Sequence, residues 1–199
     1  MTARWIAFEG GDASGKSTQA RLLAAELDAV VTLEPGGTEL GRAIRGLVLD
    51  PRWAPVDDRT EALLYAADRA QHLAGVVLPA LEAGHHVVSD RSVASSLAYQ
   101  GGGRGLGVVE IGRLNDWATG GRRPDVYVLL IVDGDVATER LGADLDRLEQ
   151  AGDEFHRRVD ATFRQLATGS PDWVVVDGHG TIDEVASRVW SALEPILRS

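Results

Sequence analysis

The chain contains no cysteine, which excludes zinc ribbons, iron–sulfur sites, thiol catalysis and disulfide scaffolds. It has no long apolar run either: the longest, Val126 to Val132, falls far short of the roughly 20 residues a membrane helix needs. The N-terminus has no signal-peptide pattern, so a soluble, cytoplasmic protein is expected. Positive charge is scarce, with 20 basic against 30 acidic residues and a formal charge of −10. That balance argues against a nucleic-acid coat, which needs a basic face to displace counterions from phosphates. Any anionic ligand must therefore be met by local design. Length and apolar content, 199 residues at 44%, suffice for one compact domain with a core that needs no staple.

Lysine is the most informative scarcity. Of the 20 basic residues one alone, Lys16, is lysine. Lysine and arginine exchange freely on a solvated surface, but not where a compact ammonium on a flexible stem must reach a phosphate. Lys16 lies in Gly10-Gly11-Asp12-Ala13-Ser14-Gly15-Lys16-Ser17-Thr18, which satisfies G-x-x-x-x-G-K-[ST]. A short apolar segment, Arg4 to Glu9, precedes it, and Ala20, Leu23, Ala24 and Leu27 follow at helical spacing. Strand, glycine loop and helix is the order in which loop N–H groups and a helix N-terminus converge on phosphate oxygens. Lys16 would then reach the β/γ-phosphates of a nucleotide, and the Ser17 hydroxyl would ligate Mg²⁺.

The remaining chain alternates strand and helix without repeats or linkers, the rhythm of an α/β fold. Strands are expected near 4–9, 29–33, 86–90, 125–132 and 173–177. Helices are expected near 16–28, 37–48, 58–83, 92–99, 108–118, 135–141, 153–168 and 181–197. Strands apolar on both faces predict a five-stranded parallel sheet covered by helices on either side, a P-loop NTPase-type three-layer sandwich. Ligands in such sheets bind beyond the carboxyl ends of the strands. There, His86-Val87-Val88-Ser89-Asp90-Arg91 ends in a carboxylate suited to Mg²⁺ and a guanidinium suited to a phosphate. A surface ion pair is the bland alternative. Tyr65 and Arg69, four apart on one helix face, suit a planar hydrogen-bonding ligand such as a nucleobase. Ser96, Tyr99 and Gln100 form a similar polar cluster on the next helix. The five histidines read as structural or exposed, the five tryptophans as core, and Gly101-Gly102-Gly103-Arg104-Gly105 as a mobile connection or a phosphate cradle.

Together these segments resemble the bacterial thymidylate kinases over nearly the whole chain. The resemblance rests on Phe8-Glu9-Gly10-Gly11-Asp12 with the P-loop, Glu34-Pro35-Gly36-Gly37-Thr38, Leu64 to His72, Asp90-Arg91, Ser95 to Gly101, Gly103 to Leu106, Ala118-Thr119-Gly120-Gly121 with Arg123-Pro124-Asp125, and Asp146-Arg147-Leu148-Glu149. It implies a homodimeric, ATP- and Mg²⁺-dependent enzyme that moves the γ-phosphoryl of ATP onto dTMP, giving dTDP and ADP on the way to dTTP. It also implies roles. Asp12 matches the carboxylate near the deoxyribose 3′-hydroxyl, and Tyr65 takes the place of a phenylalanine that stacks on thymine. Arg69 matches the arginine at the base edge, and Arg45, Glu34 and Arg91 match residues around the acceptor phosphate and its metal. Ser96 and Gln100 match base contacts, and Tyr99 the aromatic residue that disfavours a ribose 2′-hydroxyl. Asp177 to Gly180 matches an adenine-side loop.

Three positions and the lid depart from that pattern. Leu33 replaces an arginine before Glu34-Pro35, Ala13 stands where a P-loop arginine can occur, and Ser92 replaces an aromatic residue or histidine. The lid, placed at about 140–152, carries fewer arginines than usual. Phosphoryl transfer depends on positive charge around the migrating group, so Arg140 and Arg147 are the expected lid donors, Arg147 the more important. The bland alternative pairs Arg147 with Asp144 or Asp146. Asp90-Arg91-Ser92 is also similar to the Glu-Arg-Ser of deoxynucleoside kinases, which keeps open a kinase for another nucleoside monophosphate or a deoxynucleoside. A GTPase-type switch lacks support: Asn115, the one asparagine, is not part of an Asn-Lys-x-Asp guanine motif.

Overall fold

In the computed structural model, which describes residues 2–140 and 145–198, five parallel strands form one sheet in the order β2-β3-β1-β4-β5. The strands are β1 (Trp5–Glu9), β2 (Val30–Leu33), β3 (Val87–Asp90), β4 (Val126–Ile131) and β5 (Trp173–Asp177). Each lies within a residue of its expected bounds. The helices are α1 (Lys16–Leu27), α2 (Glu39–Leu49), α3 (Asp58–His72), α4 (Leu78–Glu82), α5 (Val93–Ser96), α6 (Val108–Thr119), α7 (Gly134–Arg140), α8 (Asp153–Ala167) and α9 (Ile182–Leu197).

Strand β1 is buried along its whole length, and its side chains alternate between two cores because successive residues of a strand point to opposite faces. Ile6 and Phe8 join Val88, Val128 and Leu130 under α1 and α9. Ala7 joins Tyr127 and Leu129 on the face that packs against residues of α2, α3, α5, α6 and α8. Side chains cap three helix starts, Thr38 on α2, Asp57 on α3 and Thr181 with Glu184 in a capping box on α9, whereas α4, α5, α6 and α8 have no side-chain cap. No side chain caps α1, which leaves its first N–H groups for a ligand.

Two expected helices differ in detail. The segment 58–83 is interrupted by a π-helical turn at Leu73–Val77 before α4. Pro79 stands just beyond it, where its ring would clash with the carbonyl four residues back in an unbroken α-helix. The segment begun by α5 continues as a π-helical turn over Leu97–Gly103, so part of the supposed mobile glycine connection is packed structure. A Cβ on Gly102 would lie 2.0 Å from Thr162 Oγ1, and one on Gly103 2.6 Å from the Phe155 ring. Glycine here permits close approach to α8. The tryptophans also divide: Trp5 is fully buried and donates to Ser89 Oγ at 2.9 Å, whereas Trp53 is 47% and Trp117 86% exposed. The expectation of core packing fails for those two.

Candidate active site

The carboxyl ends of β1, β2 and β3 open into a cleft. Asp12, Ala13, Lys16 and Ser17 line it, with Glu34, Arg45, Tyr65, Arg69, Asp90, Arg91, Ser96, Tyr99 and Gln100. Most candidates from the sequence thus share one space. A second hollow is lined by Ser14, Gly15, Thr18, Arg140, Gly178 and Gly180, so P-loop residues face both.

The loop's shape demands its first glycine. Gly10 has φ +138°, and a Cβ there would meet Leu130 O at 2.4 Å. Lys16 Nζ folds back to donate to Gly11 O at 2.6 Å and Ser14 Oγ at 3.2 Å. Burial, then the Arg91 charge, pushes its ammonium down to about 8. Ser17 Oγ donates to Asp90 Oδ2, while Asp90 Oδ1 is buried with no hydrogen-bond partner among the described residues. An orphaned carboxylate oxygen beside a hydroxyl is the oxygen-only donor set of a hard divalent cation that takes its other ligands from phosphates and water. Among the described residues no cluster of three or more His, Cys, Asp or Glu could hold a metal ion.

Arg91 stands at φ +72°, left-handed backbone that costs a side-chain-bearing residue about 1–2 kcal/mol. Its surroundings hold it there. The guanidinium donates to Gly10 O at 3.1 Å, Ser95 Oγ at 3.0 Å, Tyr99 OH at 3.1 Å and an oxygen of Asp12. Tyr99 OH donates in turn to Asp12 Oδ2 at 2.8 Å. Burial works to raise the Asp12 carboxyl, but Arg91 and Lys16 outweigh it and hold it below the usual range. Beneath lies Glu9, fully buried, which accepts from Ser92 N at 2.8 Å, Ser92 Oγ at 2.7 Å and Ser95 Oγ at 2.6 Å. Burial pushes its carboxyl up to about 7 despite those donors. Ser92 is therefore spent on Glu9 and is not among the cleft-lining residues.

Arg69 is buried too. Its Nε donates to Glu34 Oε2 at 2.7 Å, Nη1 to Ser96 Oγ at 3.0 Å and to Asn115 Oδ1, and Nη2 to the Ser92 carbonyl at 2.9 Å. Four of the five N–H donors of a guanidinium are thus used, which fixes its plane at the cleft wall. Glu34 is braced on the other side by His72 Nδ1 at 2.7 Å. Burial works to raise the Glu34 carboxyl, and Arg69 with His72 prevails to lower it. Arg45 donates to the Pro35 carbonyl at 3.0 Å.

Arg147 lies elsewhere. Its Nε donates to Val48 O at 2.9 Å and its Nη2 pairs with Glu61 Oε2 at 2.6 Å. Its own N–H donates to Leu49 O at 2.9 Å. Arg147 does not line the cleft, although Asp146, Leu148 and Glu149 do. In place of the expected position at the transferring phosphate, or of a surface pair with Asp146, the guanidinium is held by a buried carboxylate and the end of α2; Asp144 lies outside the described residues. Arg140 lines the second hollow, with Nη2 3.4 Å from Gly178 O. Of the lid placed at 140–152, residues 141–144 lie outside the described residues.

Four contributors escaped the sequence reading: Glu9, Glu61, His72 and Asn115. Glu61 had a signal, for Glu61, Tyr65 and Arg69 fall four apart on one helix face. His72 follows Arg69 by three on the same helix. Nothing local marks Glu9 or Asn115, whose partners lie 83 and 46 residues away.

The family model described as thymidylate kinase matches residues 8–189. The chain is 48% identical to the thymidylate kinase of Cutibacterium acnes over 99% of each sequence. It is 46% identical to that of a Synechococcus species over 97% of this chain and 96% of that one. Among solved structures it resembles the thymidylate kinase of Ehrlichia chaffeensis, with a TM-score of 0.81 and 30% identity over 98% of this chain and 100% of that one.

Proposed function

We propose that this chain, which belongs to the thymidylate kinase family, transfers the γ-phosphoryl group of ATP to dTMP, releasing dTDP and ADP. The carrying observation is that one cleft holds both the P-loop lysine and the Tyr65/Arg69 pair, phosphate chemistry and base recognition in one space. In this reading Gly10 to Thr18 wrap the ATP phosphates, and Lys16 exchanges its loop contacts for phosphate oxygens. Arg91 neutralises charge on the acceptor phosphate and the migrating group. Tyr65 stacks on thymine while Arg69, Ser96 and Gln100 meet its polar edge, and Asp12 and Tyr99 face the deoxyribose. Ser17 and Asp90 would hold Mg²⁺, which supplies charge neutralisation between the phosphates when bound. The chemistry needs positioning and positive charge more than a strong base.

Two further parts of the reading concern setting. Among the described residues no helix is long and apolar enough to cross a membrane, in keeping with a cytoplasmic enzyme. Leu63 on α3, with Val109 and Trp117 on α6, are 57%, 65% and 86% exposed, apolar surface of the kind that a homodimer would cover.

The test is ADP release from Mg·ATP with dTMP, dUMP, dCMP, UMP, dGMP and thymidine offered in turn. A strong preference for dTMP is expected. A preference for thymidine or for a purine monophosphate would overturn the acceptor assignment.

A further inference from the structure

Glu61, as fully buried as Glu9, is a carboxylate near the cleft that no part of the phosphoryl-transfer reading uses. It is 0% exposed and has four bonding partners in three side chains: Arg147 at 2.6 Å, Arg104 at 3.0 and 3.3 Å, and the amide of Gln100 at 2.9 Å. Two guanidinium groups make it an acceptor, and a carboxylate facing an amide can bind only its NH₂ end. The orientation of the Gln100 amide, which is otherwise ambiguous between its two ends, is thereby fixed: Nε2 faces Glu61. Gln100 lines the cleft, and its Oε1 has no hydrogen-bond partner among the described residues.

We propose that Glu61 is a specificity-positioning residue: by holding Gln100 Nε2, it reserves the Gln100 carbonyl for the cleft and so selects bases that present an N–H donor beside a carbonyl acceptor. Arg69, which lines the same cleft, offers only donors. A donor wall and an acceptor amide together complement a 4-keto pyrimidine, whose N3–H donates and whose O4 accepts. A 4-amino pyrimidine reverses both, setting its N3 lone pair against the Gln100 carbonyl and its amino group against Arg69. The inference rests on the proposed nucleotide acceptor and adds how the base is chosen. Freed from Glu61, the amide could turn its NH₂ end toward the N3 of a 4-amino base, so losing Glu61 should favour the wrong substrate selectively.

The experiment compares kcat/KM for dTMP, dUMP and dCMP in the wild type and in Glu61→Gln. The expected result is a fall of about tenfold or more in the dTMP/dCMP ratio, carried by a higher KM for dTMP, with the dTMP/dUMP ratio unchanged because both bases keep N3–H. A merely structural role would lower all three activities together, and an unchanged dTMP/dCMP ratio would overturn the proposal. Should Glu61→Gln fail to fold, as read by circular dichroism, Gln100→Met takes its place: the dTMP/dCMP ratio must again fall while dTMP/dUMP holds, and constancy of the first overturns it. Failure of the underlying assignment looks different, as a wild type that does not phosphorylate dTMP at all.

Discussion

On the acceptor wall of the cleft, Glu34, Glu61, Arg69 and Gln100 are at most 3% exposed and hold one another or their neighbours by hydrogen bonds before any ligand arrives. On the P-loop side, Asp90 Oδ1 lacks a partner among the described residues, α1 lacks a side-chain cap, and Lys16 folds onto its own loop. The contrast separates two tasks. A base is told from its analogues by groups whose direction is fixed in advance, since an unpaired buried group penalises the wrong partner. Phosphates need charge and N–H groups that become satisfied when they bind, so the donor half is complementary to its ligand and incomplete without it.

If the halves differ in this way, removing a cation should cost stability on one side and rate on the other. The largest effect is expected from Lys16→Ala: kcat should fall on the order of a thousandfold, near the upper end for one transition-state donor, with the thermal midpoint moving by less than about 2 °C. Arg69→Met should do the reverse in stability, losing about 3–5 kcal/mol because Glu34 is left buried and short of its partner. Chemical denaturation of both variants beside steady-state kinetics checks the pair. Equal destabilisation in the two would erase the distinction.

A smaller effect discriminates the two arginines expected in the lid. Arg147→Ala should lower stability by about 2 kcal/mol, since Glu61 keeps Arg104, and should leave kcat within about threefold at saturating substrates. Arg140→Ala should leave stability alone and lower kcat by about tenfold. A large kcat loss without destabilisation in Arg147→Ala would return that residue to the transition state.

The smallest effect is a pH dependence. The Glu9 carboxyl is raised from 4.5 to about 7 in the folded protein, so the folded state binds a proton more tightly than the unfolded one. Its contribution is full below about pH 4.5 and is lost as pH rises through 7. Relative to Glu9→Gln, the wild type should therefore lose on the order of 1–3 kcal/mol between about pH 5 and pH 8. Parallel stability curves for the two across that range would contradict the assignment.

Much of this architecture was legible in the residues. The sheet could be read because its strands are apolar on both faces, and the P-loop because a local motif encodes a local shape. Tyr65 and Arg69 were legible because four residues on a helix make one face. The burial of Arg147 was not legible for the converse reason. Its partner Glu61 lies 86 residues away, and neither spacing nor composition says which of 19 arginines will be buried against which carboxylate. Ser92 shows the same limit. As a letter it kept a deoxynucleoside acceptor open, but in the fold its hydroxyl is bound to Glu9. The glycine run over 101–103 looked like slack chain, but Gly101 packs against Val108 of α6, and Gly102 and Gly103 against α8.

The most direct test of the contrast between the two walls is amide hydrogen exchange, measured with no ligand, with dTMP alone, and with a non-hydrolysable Mg·ATP analogue alone. The account predicts that the backbone of α3 is already protected without ligand and changes little with dTMP, whereas residues 10–18 gain strong protection from the ATP analogue. Strong new protection of α3 on adding dTMP, with a P-loop already protected in the free protein, would contradict it.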